Sequence, residues 1–291
     1  MNHFEGRSNQ NQDIIARNAQ EDRESEIHPD VRNVYRKAKE LFLAEGLKED
    51  SFADLYGSEN VATDKQKIES MKANWQKDNP TLVYATSLEY LVYRHINSNR
   101  TLGERARAIK TTEYDDVING TDLVVEFEDS ESARPDRLGF AIDVTFGSQT
   151  LTKKFDSIKK QIEIGTLGKM KYYHSPKQGL RGELSLLPRV VVGIEKNQIE
   201  KLATLTERGG IEALKGHGVT KAFLHEISVQ LRTFATYAER KGQKDIAKIY
   251  RRELGIIQAV TSEAYGNDMT LEGLREDRVL QSIRQALGDK F

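Results

Sequence analysis

The chain of 291 residues contains no cysteine. Disulfides, thiolate metal sites and cysteine nucleophiles are excluded together, and a reducing compartment fits. It lacks any run of about 18 apolar residues of the kind that spans a membrane, and its amino end shows no signal-peptide pattern, so a soluble cytoplasmic protein with no membrane role is expected. An excess of either charge is missing too: 44 Lys and Arg stand against 45 Asp and Glu, for a net charge of -1. No global basic field announces a nucleic-acid partner, and any basic patch must be local. Tryptophan occurs once, at Trp75.

What is present centres on residues 112 to 161. Leu123-Val124-Val125-Glu126-Phe127 and Leu138-Gly139-Phe140-Ala141-Ile142 are short, rich in β-branched and aromatic residues, and bounded by turn formers, which predicts two strands. Paired as an antiparallel hairpin through the polar stretch Asp129 to Arg137, they bring Asp122, at the start of the first, beside Asp143, at the end of the second. Asp is common beside turns. Asp143 is less ordinary, because it follows Phe140-Ala141-Ile142 and precedes Val144, and a charge inside an apolar strand is costly unless paired or metal-bound. Two carboxylates held together disfavour each other's ionisation, and a hard cation such as Mg²⁺ removes that cost.

Along the chain, residues 1 to 30 are polar and poor in large apolar groups, so a disordered or loosely ordered arm is expected. Two amino-terminal helices follow within 31–79. Val34, Ala38, Leu41 and Phe42 mark the first, and the second spans about Thr63 to Gln76. Pro80 opens a stronger helix with the apolar stripe Leu88, Leu91, Val92 and Ile96. Glu89 flanks that stripe, placed either in solvent or facing the carboxylate pair, and His95 reads as a structural or capping residue.

Phe155, Ile158 and Ile162 define an amphipathic helix that stops near Gly165. Its other face carries Lys153, Lys154, Lys159 and Lys160, with Lys169 and Lys171 close behind. This is either a solvated helix face or a surface for phosphates near the metal. Arg189 to Ile194 reads as a buried strand, and the helical crossover before it implies a parallel pair in a mixed sheet. From residue 196 to 291 the pattern is helical.

The order of a helix with Glu89, a strand with Asp122, a strand with Asp143-Val144-Thr145, a helix with Lys154 and Gln161 and then a buried strand resembles the PD-(D/E)xK nuclease superfamily over residues 80–195. The resemblance implies an α/β fold with a restriction-endonuclease-like αβββαβ core and mixed sheet, flanked by amino-terminal helices and a carboxy-terminal helical layer. It implies a Mg²⁺-dependent hydrolase, with Mn²⁺ as substitute, that cleaves phosphodiester bonds of nucleic acid, DNA in most members. Asp122 then matches the first motif aspartate, with Thr121 where proline is usual. Asp143 matches the second acid, the Val144 carbonyl is a further metal ligand, and Glu89 is the helix acid.

Thr145 stands in the place of the family's lysine and carries no positive charge, so Lys154 or Lys153 is expected to supply it. Lys153, Lys159, Lys160, Gln161, Lys169 and Lys171 form the expected nucleic-acid surface. Asp115 and Asp116 are spare carboxylates, either substitutes for Asp122 or local backbone acceptors. Specificity falls to a second copy of the chain or a protein partner. The alternative is a catalytically inactive nuclease-fold module that binds nucleic acid or a protein, and a third reading is a purely structural protein.

Overall fold

The computed structural model describes residues 27–73, 79–127, 136–142, 148–176, 179–214, 217–266 and 277–291. Most of the expected arm lies outside these residues, and so does Trp75. Within them the ordered chain begins earlier than the composition suggests, because Ile27 is already buried and helix α1 spans Pro29–Glu45. Two short pieces follow, a 3-10 turn at Glu49–Phe52 and α2 at Ala53–Tyr56, and then α3 at Ser58–Lys72.

Helix α4, Pro80–Asn99, is set by its first residues. The Asn79 side chain accepts from the Leu82 amide at 2.8 Å, and Pro80, whose missing N–H costs nothing there, takes the first helical position. Its expected stripe, Leu88, Leu91, Val92 and Ile96, is buried. Strand β1, Ala106–Lys110, follows, then the five-residue helix α5, Glu113–Val117, and strands β2, Leu123–Phe127, and β3, Asp136–Ile142. Helix α6 is Ser148–Glu163; β4 is Gly168–His174, β5 Arg181–Leu187 and β6 Arg189–Val192. The carboxy-terminal helices are α7, Lys196–Gly209, α8, Gly218–Arg240, α9, Lys244–Tyr265, and α10, Arg278–Lys290.

The result is a mixed α/β protein. Its main sheet has the order β1-β2-β3-β6, with β1/β2 and β2/β3 antiparallel and β3/β6 parallel. The two strands expected from composition do pair as an antiparallel hairpin, with Leu123 opposite Phe140. Along β2 the side chains alternate between two cores. Leu123, Val125 and Phe127 join the large cluster built with α1, α4, α6 and the carboxy-terminal helices. Val124 joins Ile109, Met170, Tyr173 and Leu187 in a smaller one beneath the β4/β5 hairpin. The sheet is therefore covered by helices on one face and by a second small sheet on the other. Because α1 and α7–α10 share one core with the sheet, the outlying helices pack as integral parts of it.

Strand β6 ends the sheet, and its open edge is closed by a side chain. The Gln230 amide accepts from the Val191 N–H at 2.8 Å and donates to the Val191 carbonyl at 2.7 Å, doing what a neighbouring strand would do. β1 and the β4/β5 hairpin were not among the expected strands. Ala106-Arg107-Ala108-Ile109-Lys110 has little β propensity because alanine packs poorly on a pleated surface. Gly168-Lys169-Met170-Lys171-Tyr172 does alternate with period two, a strand signal that its lysines disguised as a basic run.

His95 is structural, as expected. It is buried in α4, with Nδ1 receiving the Asn99 amide at 2.7 Å and Nε2 bonded to the Thr220 hydroxyl of α8. Burial, then the neighbouring His217, lowers its pKa from 6.5 to about 4. The folded state thus binds fewer protons than the unfolded one, so this contribution is full above pH 6.5 and is lost as pH falls toward 4. A loss of about 3 kcal/mol is expected across that window. Urea unfolding as a function of pH checks it, and the His95→Gln variant should show a correspondingly shallower slope.

Candidate metal centre

Four elements converge at one end of the sheet. α4 contributes Glu89, β1 contributes Lys110, α5 contributes Asp116, and the turn into β2 contributes Asp122. The turn is held from several directions. Thr112 caps α5, accepting from the Asp115 amide at 3.3 Å, and the Thr121 amide donates to the Asp115 carbonyl at 3.1 Å. The Thr111 hydroxyl is placed at 2.6 Å and 3.0 Å from the carbonyls of Thr121 and Asp122. Gly120 adopts φ 65, the left-handed region glycine tolerates, and a Cβ there would lie 3.2 Å from Arg189 Nη1. Arg189 is itself buried, and it donates to the Asn119 carbonyl at 2.6 Å and to Gln161 Oε1 at 3.3 Å.

The adjacent aspartates divide the work. Asp115 is buried and accepts from the Lys171 and Tyr172 amides at 2.8 and 2.9 Å, from Asn119 at 2.6 Å and from the Thr112 hydroxyl at 3.1 Å. It ties α5 to β4 and has no free lone pair for chemistry. Asp116 faces the other way. One carboxylate oxygen each from Glu89, Asp116 and Asp122 lie within 4.8 Å of one another, and Lys110 Nζ stands 2.9 Å from Glu89 and 3.0 Å from Asp116.

The charges do not balance locally. Burial, reinforced by the charges of Asp116 and Glu89, pushes Asp122 well above the usual carboxylate range. Burial also raises Glu89, although Lys110 opposes it. Asp116 behaves differently: desolvation works against its charge, yet Lys110, a hydrogen bond from Asp122 and the charge of Lys154 hold it below its ordinary value. Lys110 is kept charged despite its burial by Asp116, Glu89 and Asp122. Asp116 and Asp122 are thus pushed in opposite directions, Asp116 toward the ionised form and Asp122 toward the protonated one. Three convergent carboxylates, with Glu89 and Asp122 pushed above their ordinary range, form a donor set suited to a hard divalent cation.

Of the residues singled out in the sequence, Glu89 and Asp122 are brought together here, and the Lys154 charge acts on all three acids. Asp143, Val144 and Thr145 lie outside the described residues. Lys153, Lys160 and Lys169 are exposed, whereas Lys159 is partly buried, with its amine 5.6 Å from the Tyr237 ring. Lys171 departs from the expected basic surface. Its amine pairs with Asp64 and sits 5.2 to 5.6 Å from the rings of Tyr56, Tyr172 and Tyr114, so it serves the packing of β4. Gln161 is engaged by Arg189.

Two residues of the centre escaped the sequence reading. Lys110 lies in the strand whose propensity was too low to notice, and Arg189 read only as the first residue of a buried strand. A charged residue opening a run of valines was the available signal for Arg189.

No known protein family, curated protein or solved structure matches the chain. The fold and the site define it as a mixed α/β protein with a partly buried acidic centre that encloses a lysine. Among the described residues no helix is long and apolar enough to cross a membrane.

Proposed function

We propose that the protein is a metal-dependent nuclease with a restriction-endonuclease-like core, in which Glu89, Asp116 and Asp122 hold Mg²⁺ or Mn²⁺ and phosphodiester bonds of DNA are hydrolysed. The observation that carries this reading is the convergence of three carboxylates with Asp122 pushed far up. The sheet order β1-β2-β3-β6 supports it, since with the short α5 and the β4/β5 hairpin taken as insertions the elements α4, β1, β2, β3, α6 and β6 follow the αβββαβ plan that the resemblance implies. The bound cation would supply a water acidic enough to attack and would offset charge on the phosphate.

The chain's own residues then have distinct tasks. Asp122 would hold the cation in its ionised form, and Arg189 and Thr111 keep its backbone turn in place. Lys110 and Lys154 bring the positive charge that Thr145 lacks, steadying the phosphate as it becomes more negative. Lys153 and Lys160, on the exposed face of α6, position the backbone of the nucleic acid without reading its sequence.

A second reading rests on one specific observation. Lys110 already bridges Glu89 and Asp116 at 2.9 and 3.0 Å, as it would in a silent module that retains the acids for structure. Labelled single- and double-stranded DNA and RNA, incubated with Mg²⁺ or Mn²⁺, separate the two. Cleavage that disappears in EDTA and in Asp122→Asn is the expected result. A folded wild-type protein that cuts none of these substrates would reject the nuclease.

A further inference from the structure

The face of α4 that carries Glu89 continues along the helix. Tyr93 and Asn97 follow at spacings of four, so the three stand one above another. Asn97 is locked to β1, donating to the Ala108 carbonyl at 3.0 Å and accepting from the Ala108 amide at 2.9 Å. Beside this seam opens a groove of about 400 Å³, within the range of small-molecule and cofactor sites.

The groove is lined by Arg94, Arg100, Arg105 and Arg107, against Glu45 and Glu104. Four guanidiniums facing two carboxylates leave a local positive excess in a chain whose overall charge is -1. Both acids are already engaged, Glu45 by the Tyr93 hydroxyl at 2.7 Å and Glu104 by Arg100 at 3.5 Å. Among the described residues Arg94 Nε is buried with no hydrogen-bond partner, an expensive state for a charged donor.

The planar guanidinium fork matches phosphate oxygens in pairs, and several such forks around one concavity select phosphate over singly charged anions. The groove also lies in line with the acidic centre. From Glu89 to Asn97 is eight residues of helix, about 12 Å at 1.5 Å per residue. That is roughly three to four nucleotides of a duplex strand at 3.4 Å each.

We propose that this arginine groove is a phosphate-binding site that anchors the substrate strand a few nucleotides from the bond cut at the acidic centre. The proposal rests on the nuclease reading for the identity of the strand, while the phosphate chemistry of the groove stands independently of it. The occupant is a phosphate group of the nucleic-acid backbone or of a strand end, and the same chemistry would accept a free phosphate.

The test is fluorescence anisotropy of labelled oligonucleotides in EDTA, where binding is read without cleavage. Oligonucleotides with and without a 5′-phosphate are compared, and inorganic phosphate is used as competitor. Wild type is expected to bind, millimolar phosphate to compete, and Arg94→Gln and the exposed Arg107→Gln each to weaken binding on the order of tenfold. A gain confined to the 5′-phosphorylated strand identifies a strand-end site, and equal binding identifies a backbone site. Unchanged affinity in both arginine variants would overturn the proposal, and Arg107→Gln keeps that outcome accessible should Arg94→Gln fold poorly. If wild type cuts nothing yet inorganic phosphate raises its melting temperature in an Arg94-dependent way, the groove stands and the nuclease reading falls.

Discussion

Asp116→Asn is expected to lower metal-dependent cleavage on the order of a thousandfold, the scale of losing one electrostatic group from a preorganised centre. The substitution keeps the shape of the side chain and removes the carboxylate that Lys110 and Asp122 both address. Stability should change little, because the like-charge crowding that pushes Asp122 up is relieved as the Lys110 pairing is lost. The check is a single-turnover rate at saturating Mn²⁺ beside a urea midpoint. A rate within tenfold of wild type would remove Asp116 from the centre.

One residue earlier the expectation inverts. Asp115→Ala should cost about 2–6 kcal/mol of stability, since it strands two buried backbone donors at about 1–3 kcal/mol each. Those donors, the amides of Lys171 and Tyr172, fall at the irregularity between Met170 and Tyr173 in the pairing of β4 with β5. Tyr172 is fully buried against Phe52, Tyr56 and Tyr114, so freeing its amide loosens that aromatic cluster as well. Denaturant unfolding followed by tyrosine fluorescence reads the loss. A stability within about 1 kcal/mol of wild type would mean that the Asp115 bonds are replaceable by water.

The contrast between these neighbours marks the limit of what the sequence could say. Asp115 and Asp116 are chemically identical and adjacent, and only the start of α5 at Glu113 decides which one turns inward to β4 and which one faces Glu89. Strands with strong β-branched content, β2 and β6, were legible, and so was the amphipathic α6, because their periodicity reflects burial directly. β1 was not, and with it Lys110, whose role depends on a non-local pairing that brings it opposite Leu123 and against Glu89. The lysines after α6 were legible as charge but not as geometry. Lys169 is exposed, while Lys171, two positions on, is held by Asp64 and three tyrosine rings.

The same electrostatics supply a thermodynamic signature of the centre. A carboxyl whose folded pKa lies above its unfolded value favours the folded state below the unfolded pKa and loses that contribution as pH rises through the folded one. Asp122 therefore leaves the metal-free protein progressively less stable toward alkaline pH, and a cation that displaces its proton should restore the loss.

The most direct measurement is a calorimetric titration of Mn²⁺ into the protein at pH 7, repeated in two buffers of different ionisation enthalpy. The account predicts one saturable site that releases protons on binding in wild type, because the ligand must ionise to bind. It predicts that this release vanishes in Asp122→Asn. The absence of saturable binding, or heats that are identical in both buffers, would contradict it.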